Sequence, residues 1–276
     1  MGDRRASASA MTVALARAHL HWMGAIDDRY ASSVLSRRHR LAALAFRRGP
    51  LVDYGRSPTF GYIACRTHFF DDAVAEALDE GLAQVVVLGA GYDSRSLRLA
   101  RPGVRFYEVD HPATQAEKRR RLPAASVTYV GADLSSCDFP EVLGRSGFEQ
   151  DRPAVFLAEG LTMYMDRTTN EGLFRHLARV AATGSRLTVD FAVGGGSVSL
   201  PSQVVASAIR LSWQVSGERR YDWADEATAF DLLRAVGWEK AEAYNGPVLA
   251  KQYLKGTSMR TNGISPSAFC VSATRA

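Results

Sequence analysis

Between Met11 and Arg48 apolar residues recur at helical intervals: Val13, Leu15, Ala16, Ala18 and Leu20, then Trp22 and Met23, then Val34, Leu35, Leu41, Leu44 and Phe46. Arg48-Gly49-Pro50 closes that stretch, and a further helix is predicted over 69–82 with Gly81 at its end. At Gln84 the texture changes. Gln84-Val85-Val86-Val87-Leu88 is a short apolar run rich in β-branched residues, the pattern of a parallel strand buried on both faces. Similar runs recur over 104–109, 127–130, 154–158 and 186–192, separated by helical or polar stretches over 111–122, 140–146 and 168–182. This alternation predicts an open, mostly parallel sheet with helices on both faces. A helix over 224–236, stopped by Gly237, precedes two closing strands over 239–244 and 268–274, read as an antiparallel pair with a long connection. No repeat is visible, and Gly194-Gly195-Gly196 reads as a flexible join.

Composition changes this picture little. Of 276 residues, 46% are hydrophobic and 23% charged, the balance of a globular protein, and a chain of this length buries an α/β core without staples. Cys65, Cys137 and Cys270 are too few and too scattered for a disulfide framework or a CxxC site, which fits a reducing cytoplasm. No apolar run reaches the ~20 residues needed to span a bilayer. The opening MGDRRASASA lacks the apolar stretch of a signal peptide, so residues 1–10 read as a mobile leader to a single domain over 11–276. A net charge of +5 is too small to imply nucleic acid and mildly favours an anionic substrate or cofactor.

The strongest chemical signal is Leu88-Gly89-Ala90-Gly91-Tyr92-Asp93, directly after the first buried strand. Glycines at such a turn let backbone approach a ligand closely. About 20 residues on, Phe106-Tyr107-Glu108-Val109-Asp110 ends a second strand where an acid binds ribose hydroxyls in nucleotide folds. Together they point to an adenosine cofactor. A dinucleotide fingerprint wants a third glycine, but here Tyr92-Asp93-Ser94 follows, and an acid beside a diphosphate is unfavourable. Beside the sulfonium and ammonium of S-adenosylmethionine it is tolerable. The six histidines show no metal-ligand pairing, and no metal is expected.

Residues 84–99 (QVVVLGAGYDSRSLRL), 106–122 (FYEVDHPATQAEKRRRL), Ala132-Asp133-Leu134 and 158–165 (AEGLTMYM) resemble the leucine carboxyl methyltransferase family, whose bacterial branch includes polyketide O-methyltransferases of the tetracenomycin type. CRTHFFDD over 65–72 and Trp238 fit as well, so the resemblance runs from about Asp28 to Trp238. It implies a class I S-adenosylmethionine-dependent methyltransferase fold: a Rossmann-like seven-stranded sheet with a reversed last hairpin, an N-terminal helical lid over 11–82 and a cofactor- and substrate-binding core over 83–276. Carried over by position, Arg66 holds the carboxylate of the methionine moiety, with Arg17 a further candidate, and Gly89 and Gly91 line that moiety. Asp110 accepts the ribose hydroxyls, while Glu108 faces inward. Asp133 binds the adenine amino group, the Leu134 backbone an adenine nitrogen, and Glu159 lies near the ammonium and sulfonium. Asp28-Arg29-Tyr30 departs from the family's Asp-Pro-Tyr, and 245–267 has no clear counterpart.

Plainer readings stand beside these: Arg66 as an ion-pair partner of Asp71 or Asp72, Asp133 as a turn residue, Tyr164 as a core tyrosine, and Lys118-Arg119-Arg120-Arg121 as a solvated helix face. For methyl transfer the acceptor decides whether a base is needed. A carboxylate, with a pKa of roughly 4, arrives ionised; a phenol profits from a base. No His–Asp dyad occupies a motif, which favours a carboxylate or acidic enol, with Tyr164 as the catalytic candidate that positions it and Arg220, Tyr221 and Trp223 lining the substrate pocket. The expected activity is O-methylation of a small molecule of natural-product type, leaving S-adenosylhomocysteine, in a cytoplasmic enzyme of secondary metabolism without nucleic-acid or membrane partners. Protein C-terminal carboxyl methylation, cyclisation of the cofactor, and cofactor binding without turnover stay open.

Overall fold

The computed structural model describes residues 7–37, 39–41, 43, 57–122, 127–135, 139–192, 221, 225–257, 259, 264 and 268–276. Cys137, Gly194-Gly195-Gly196, Arg220 and Trp223 lie outside these residues.

Helix α1 (Ala8–Trp22) starts under Ser7, whose hydroxyl accepts from the Ala10 N–H at 3.1 Å. Residues 7–10 therefore belong to the capped helix rather than to a leader. The helical pattern read over 11–48 breaks after Trp22, where Gly24 takes a positive φ, and turns follow. Helix α2 (Pro58–Asp79) begins eleven residues earlier than the periodicity indicated, because Ser57 caps it and Pro58 occupies its first turn. Then come β1 (Gln84–Leu88), the short α3 (Arg95–Arg98), β2 (Arg105–Asp110), α4 (Pro112–Arg121), β3 (Val127–Gly131), α5 (Phe139–Arg145) and β4 (Val155–Ala158). A 3-10 turn (Thr162–Tyr164), α6 (Arg167–Val180), β5 (Arg186–Ala192), α7 (Glu226–Ala235), β6 (Trp238–Asn245), α8 (Gly246–Tyr253) and β7 (Ala268–Arg275) complete the order.

The seven strands form one sheet in the order β3-β2-β1-β4-β5-β7-β6. The first five pair in parallel; β7 runs antiparallel to β5 and to β6. The expected closing pair is thus present. Its long connection holds α8, capped by Asn245 at 3.2 Å from the Val248 N–H and absent from the sequence reading.

Alternate residues of β1 supply two cores. Val86 and Leu88 face Phe156, Phe174, Leu177 and Trp238, and the Trp238 indole donates to the Phe174 carbonyl at 3.1 Å. Val85 and Val87 face Phe60, Ala64, Phe70 and Val74 of α2. Helix α2 is therefore a covering layer of the sheet. Of the segment expected as a lid, α1 is the part over the glycine turn: Ala14 and Ala18 pack with Tyr92, Val34 and Leu35. Among the described residues no helix is long and apolar enough to cross a membrane.

Candidate active site

The carboxyl ends of β1, β2 and β4 open into a cavity of about 310 Å³. Its floor is the turn after β1. Gly89 and Gly91 have φ of +57° and +47°, a left-handed backbone that costs a side-chain-bearing residue about 1–2 kcal/mol. Space enforces the same choice: a Cβ on Gly89 would stand 2.8 Å from Leu161 Cδ1, and one on Gly91 3.0 Å from Ala10 Cβ. The Gly91 N–H donates to Asp110 Oδ2, and the His111 N–H donates to Oδ1 at 2.5 Å. Burial raises the Asp110 pKa against the pull of these two donors. Its neighbour Glu108 does face inward, 1% exposed, held by Ser96 Oγ at 2.7 Å and by Lys118. Lys118 is 2% exposed, which corrects the reading of 118–121 as a solvated face at that residue, while Arg119 and Arg120 are exposed.

The wall is ionic. Arg66, 6% exposed, donates from Nε to Glu159 Oε1 at 3.0 Å and from Nη1 to Asp190 Oδ2 at 2.9 Å, not to Asp71 or Asp72. Arg95, 1% exposed, donates from Nη1 to Glu159 Oε2 at 2.6 Å and from Nε to Asp71 Oδ1 at 2.6 Å. Burial alone would raise the Glu159 pKa; Arg95 and Arg66 overcome it and hold the carboxyl below its ordinary range. Asp93 lines the cavity too, but its carboxylate turns onto Arg95, accepting from the Arg95 backbone N–H at 2.6 Å and from Nη1. The pairing removes the basis for using Asp93 as a charge that repels diphosphate. From α1, Arg17 donates through Nε to the buried Asp28 at 2.7 Å and through Nη2 to Ser94 at 3.1 Å.

The cavity brings together Arg17, Arg66, Gly89, Gly91, Asp110, Glu159 and Tyr164 of the expected set. Tyr164, half-buried, sits on the 3-10 turn, and the Tyr221 N–H donates to Met163 O at 2.7 Å, bringing the chain before α7 alongside. Asp133 and Leu134 do not line the cavity. Asp133 is exposed at the end of β3 and accepts from the Ser135 N–H and hydroxyl at 3.0 and 2.6 Å, a turn geometry, while Leu134 packs against the core. The sequence reading missed Arg95 and Asp190, and Asp71, considered there as a partner of Arg66, pairs with Arg95 and Arg98. A lone acid in the apolar strand around Asp190 was the available signal. Burial pushes the Cys65 thiol up to about 12, leaving no reactive thiolate there. Among the described residues no cluster of His, Cys, Asp or Glu is arranged to hold a metal ion.

Strand order, reversed final pair and a glycine-floored cavity at the switch between β1 and β4 define the class I methyltransferase fold. Solved structures show the same fold. One described as a DUF574 family protein from Streptomyces avermitilis has a TM-score of 0.62 at 15% identity, covering 95% of this chain and 97% of that one. Another, described as "a putative methyltransferase" from Thermobifida fusca, has a TM-score of 0.58 at 14% identity, covering 89% and 92%. Residues 8–178 match the family described as leucine carboxyl methyltransferase, and the chain belongs to that family. A curated relative from Mycobacterium marinum, named "Putative S-adenosyl-L-methionine-dependent methyltransferase", is 34% identical over 200 residues, 67% of this chain and 64% of the relative. A relative of the same name from Mycobacterium sp. (strain KMS) is 34% identical over 206 residues, 69% and 66%. The chain thus spans about two thirds of the length of these relatives.

Proposed function

We propose that the protein is an S-adenosylmethionine-dependent O-methyltransferase whose acceptor is a small molecule bearing a carboxylate or an acidic hydroxyl. The observation that carries the reading is the shape and chemistry of the cavity: a floor of two left-handed glycines, arginines in the wall, and an acid beside Gly91. These features fit the cofactor. Arg66 Nη2 and Arg17 Nη1 make no hydrogen bond among the described residues, so both guanidinium groups retain donors for an α-carboxylate. Asp110 offers lone pairs to the ribose hydroxyls. Glu159, its charge shared with Arg66 and Arg95, is the wall carboxylate proposed to lie nearest the ammonium and sulfonium. Asp133 and Leu134, at the neighbouring strand end, are proposed for the adenine rim.

The bound cofactor supplies a methyl group made electrophilic by the sulfonium. The chain's part is alignment and exclusion of water. Helix α1 covers the floor through Ala10 and Val13, and Tyr164, which lines the cavity, is the residue proposed to orient the acceptor oxygen. Glu159 and Asp93 have their lone pairs engaged by arginine, which makes them weak bases. That favours an acceptor that arrives ionised, as a carboxylate does at pH 7.

The test is release of S-adenosylhomocysteine from S-adenosylmethionine across a panel of small carboxylic acids, enols and phenols. Turnover with acids or enols is expected. Methylthioadenosine appearing without any acceptor, or turnover confined to peptide C-termini, refutes the proposal. Tyr164→Phe is expected to lower kcat about tenfold, the scale of one hydrogen bond to an ionised group; full turnover removes Tyr164 from the role.

A further inference from the structure

We infer that Arg95 is a positioning residue: it grips one oxygen of Glu159 so that Arg66 keeps a donor face open for the cofactor's α-carboxylate. The inference rests on the assignment of Arg66 proposed above.

The arginines around the cavity differ in how they are spent. Arg66 and Arg17 line it, and each keeps a terminal nitrogen without a hydrogen bond among the described residues. Arg95 stands behind the wall, and each of its three nitrogens already donates to a protein oxygen. Its Nε meets Asp71, its Nη1 meets Asp93 and Glu159, and its Nη2 donates to the Thr67 carbonyl at 3.3 Å. Its guanidinium carbon lies 5.5 Å from the centre of the Phe70 ring. With four of its five N–H groups engaged by protein oxygens, such a residue holds others in place.

What it holds matters because of guanidinium geometry. Nε and Nη2 of an arginine share one edge, and a carboxylate prefers to meet that edge with both oxygens. Glu159 already meets Arg66 Nε with Oε1 at 3.0 Å. Released from Arg95, Oε2 would swing to Nη2 of Arg66 and complete the two-point pair. Asp190 takes an Nη1 N–H at 2.9 Å, so both terminal nitrogens of Arg66 would then be paired with protein carboxylates and no whole amino group would be left for the ligand. Arg95, at 2.6 Å from Oε2, prevents this. Its position two residues after Asp93 also ties the grip to the glycine turn, since the Arg95 N–H caps Asp93 Oδ1 at 2.6 Å.

Two ligands separate this role from general support of the fold. S-adenosylhomocysteine carries the α-carboxylate; 5′-methylthioadenosine shares the adenosine and thioether but lacks the amino-acid end. Their dissociation constants are to be measured by titration calorimetry on the wild type, Arg95→Gln and Arg95→Lys, with thermal unfolding as a check on folding. Arg95→Gln is expected to weaken S-adenosylhomocysteine about 30-fold and methylthioadenosine less than about 3-fold, the difference being the loss of one charge-assisted contact. Arg95→Lys, which keeps the charge without the fork, is expected to fall between, and it carries the test if the glutamine variant does not fold. Equal weakening of both ligands overturns the inference, because loss of packing alone does that. Unchanged affinity for S-adenosylhomocysteine overturns it as well. A wild type that binds methylthioadenosine but gains nothing from the amino-acid end removes the Arg66 assignment itself, and the inference with it.

Discussion

Asp28→Asn isolates the joint between α1 and the glycine turn. Asp28 is fully buried. Its Oδ2 accepts from Arg17 Nε at 2.7 Å, and its Oδ1 accepts from Ser94 Oγ at 2.7 Å and from the Ala31 N–H at 3.1 Å. Asparagine keeps the shape but removes the charge and sets an amide donor against one of these donors. Stranding a buried charge costs about 3–5 kcal/mol. Arg17 lines the cavity, so water there solvates part of the stranded guanidinium and the lower end applies, about 3 kcal/mol. In a chain of this size that is roughly 6–12 °C in Tm.

The pH dependence follows from the sign of the shift. Burial alone would raise the Asp28 pKa, but Arg17, Arg98 and Ser94 hold it below its ordinary value. A depressed folded pKa gives stability that is complete above the unfolded value of about 3.9 and is lost as pH falls through the folded one. Urea unfolding followed by circular dichroism at pH 7, 5 and 3 reads this as a midpoint shift at constant m-value. The gap between wild type and variant is expected to be full at pH 7 and 5 and to narrow by pH 3. A gap under about 1 kcal/mol at pH 7, or one that stays the same at pH 3, refutes the reasoning.

Gly89→Ala places a Cβ at a φ of +57° and 2.8 Å from a flexible Leu161 methyl; the backbone sets a cost of about 1–2 kcal/mol, and the displaced leucine is expected to weaken S-adenosylhomocysteine about tenfold by calorimetry. Wild-type affinity in that variant would count against a ligand lying on the glycine floor. Trp238→Phe removes the indole donor to Phe174 O and leaves space beside Phe156, a loss of about 2–3 kcal/mol in chemical denaturation with ligand affinity unchanged, since the site lies elsewhere.

The parallel strands were legible because their runs are short and apolar, and their ends shift by about a residue, as at Arg105 and Asp110, where polar residues blur them. In the closing pair β7 carries such a run, whereas β6, WEKAEAYN, is polar and mostly not buried. Helix α8 was not legible, because it is only eight residues long and opens on Asn245-Gly246-Pro247, a sequence that reads locally as a turn. The early start of α2 was missed because Ser57 and Pro58 signal a helix that the apolar pattern shows clearly only from Phe69 onward. Lys118 was read as solvent-facing because three arginines follow it; Glu108, ten residues earlier, draws it inside.

Sequence by itself determined the sheet, its helical layers, the glycine turn and the identity of the residues at the strand ends. These are local properties: a run of β-branched residues, a glycine pair and an acid at a strand terminus carry their meaning wherever they fall. The tertiary structure alone decided how the charges are divided. Arg66, Arg95, Asp71, Glu159 and Asp190 come from α2, α3, β5 and the end of β4, and their pairing depends on distances set only when those elements pack. A carboxylate's basicity and an arginine's freedom to bind are properties of its neighbours in space. The sequence named Arg66 and Glu159 as ligands of a cofactor; folding made them partners of each other, with Arg95 on the second oxygen of Glu159.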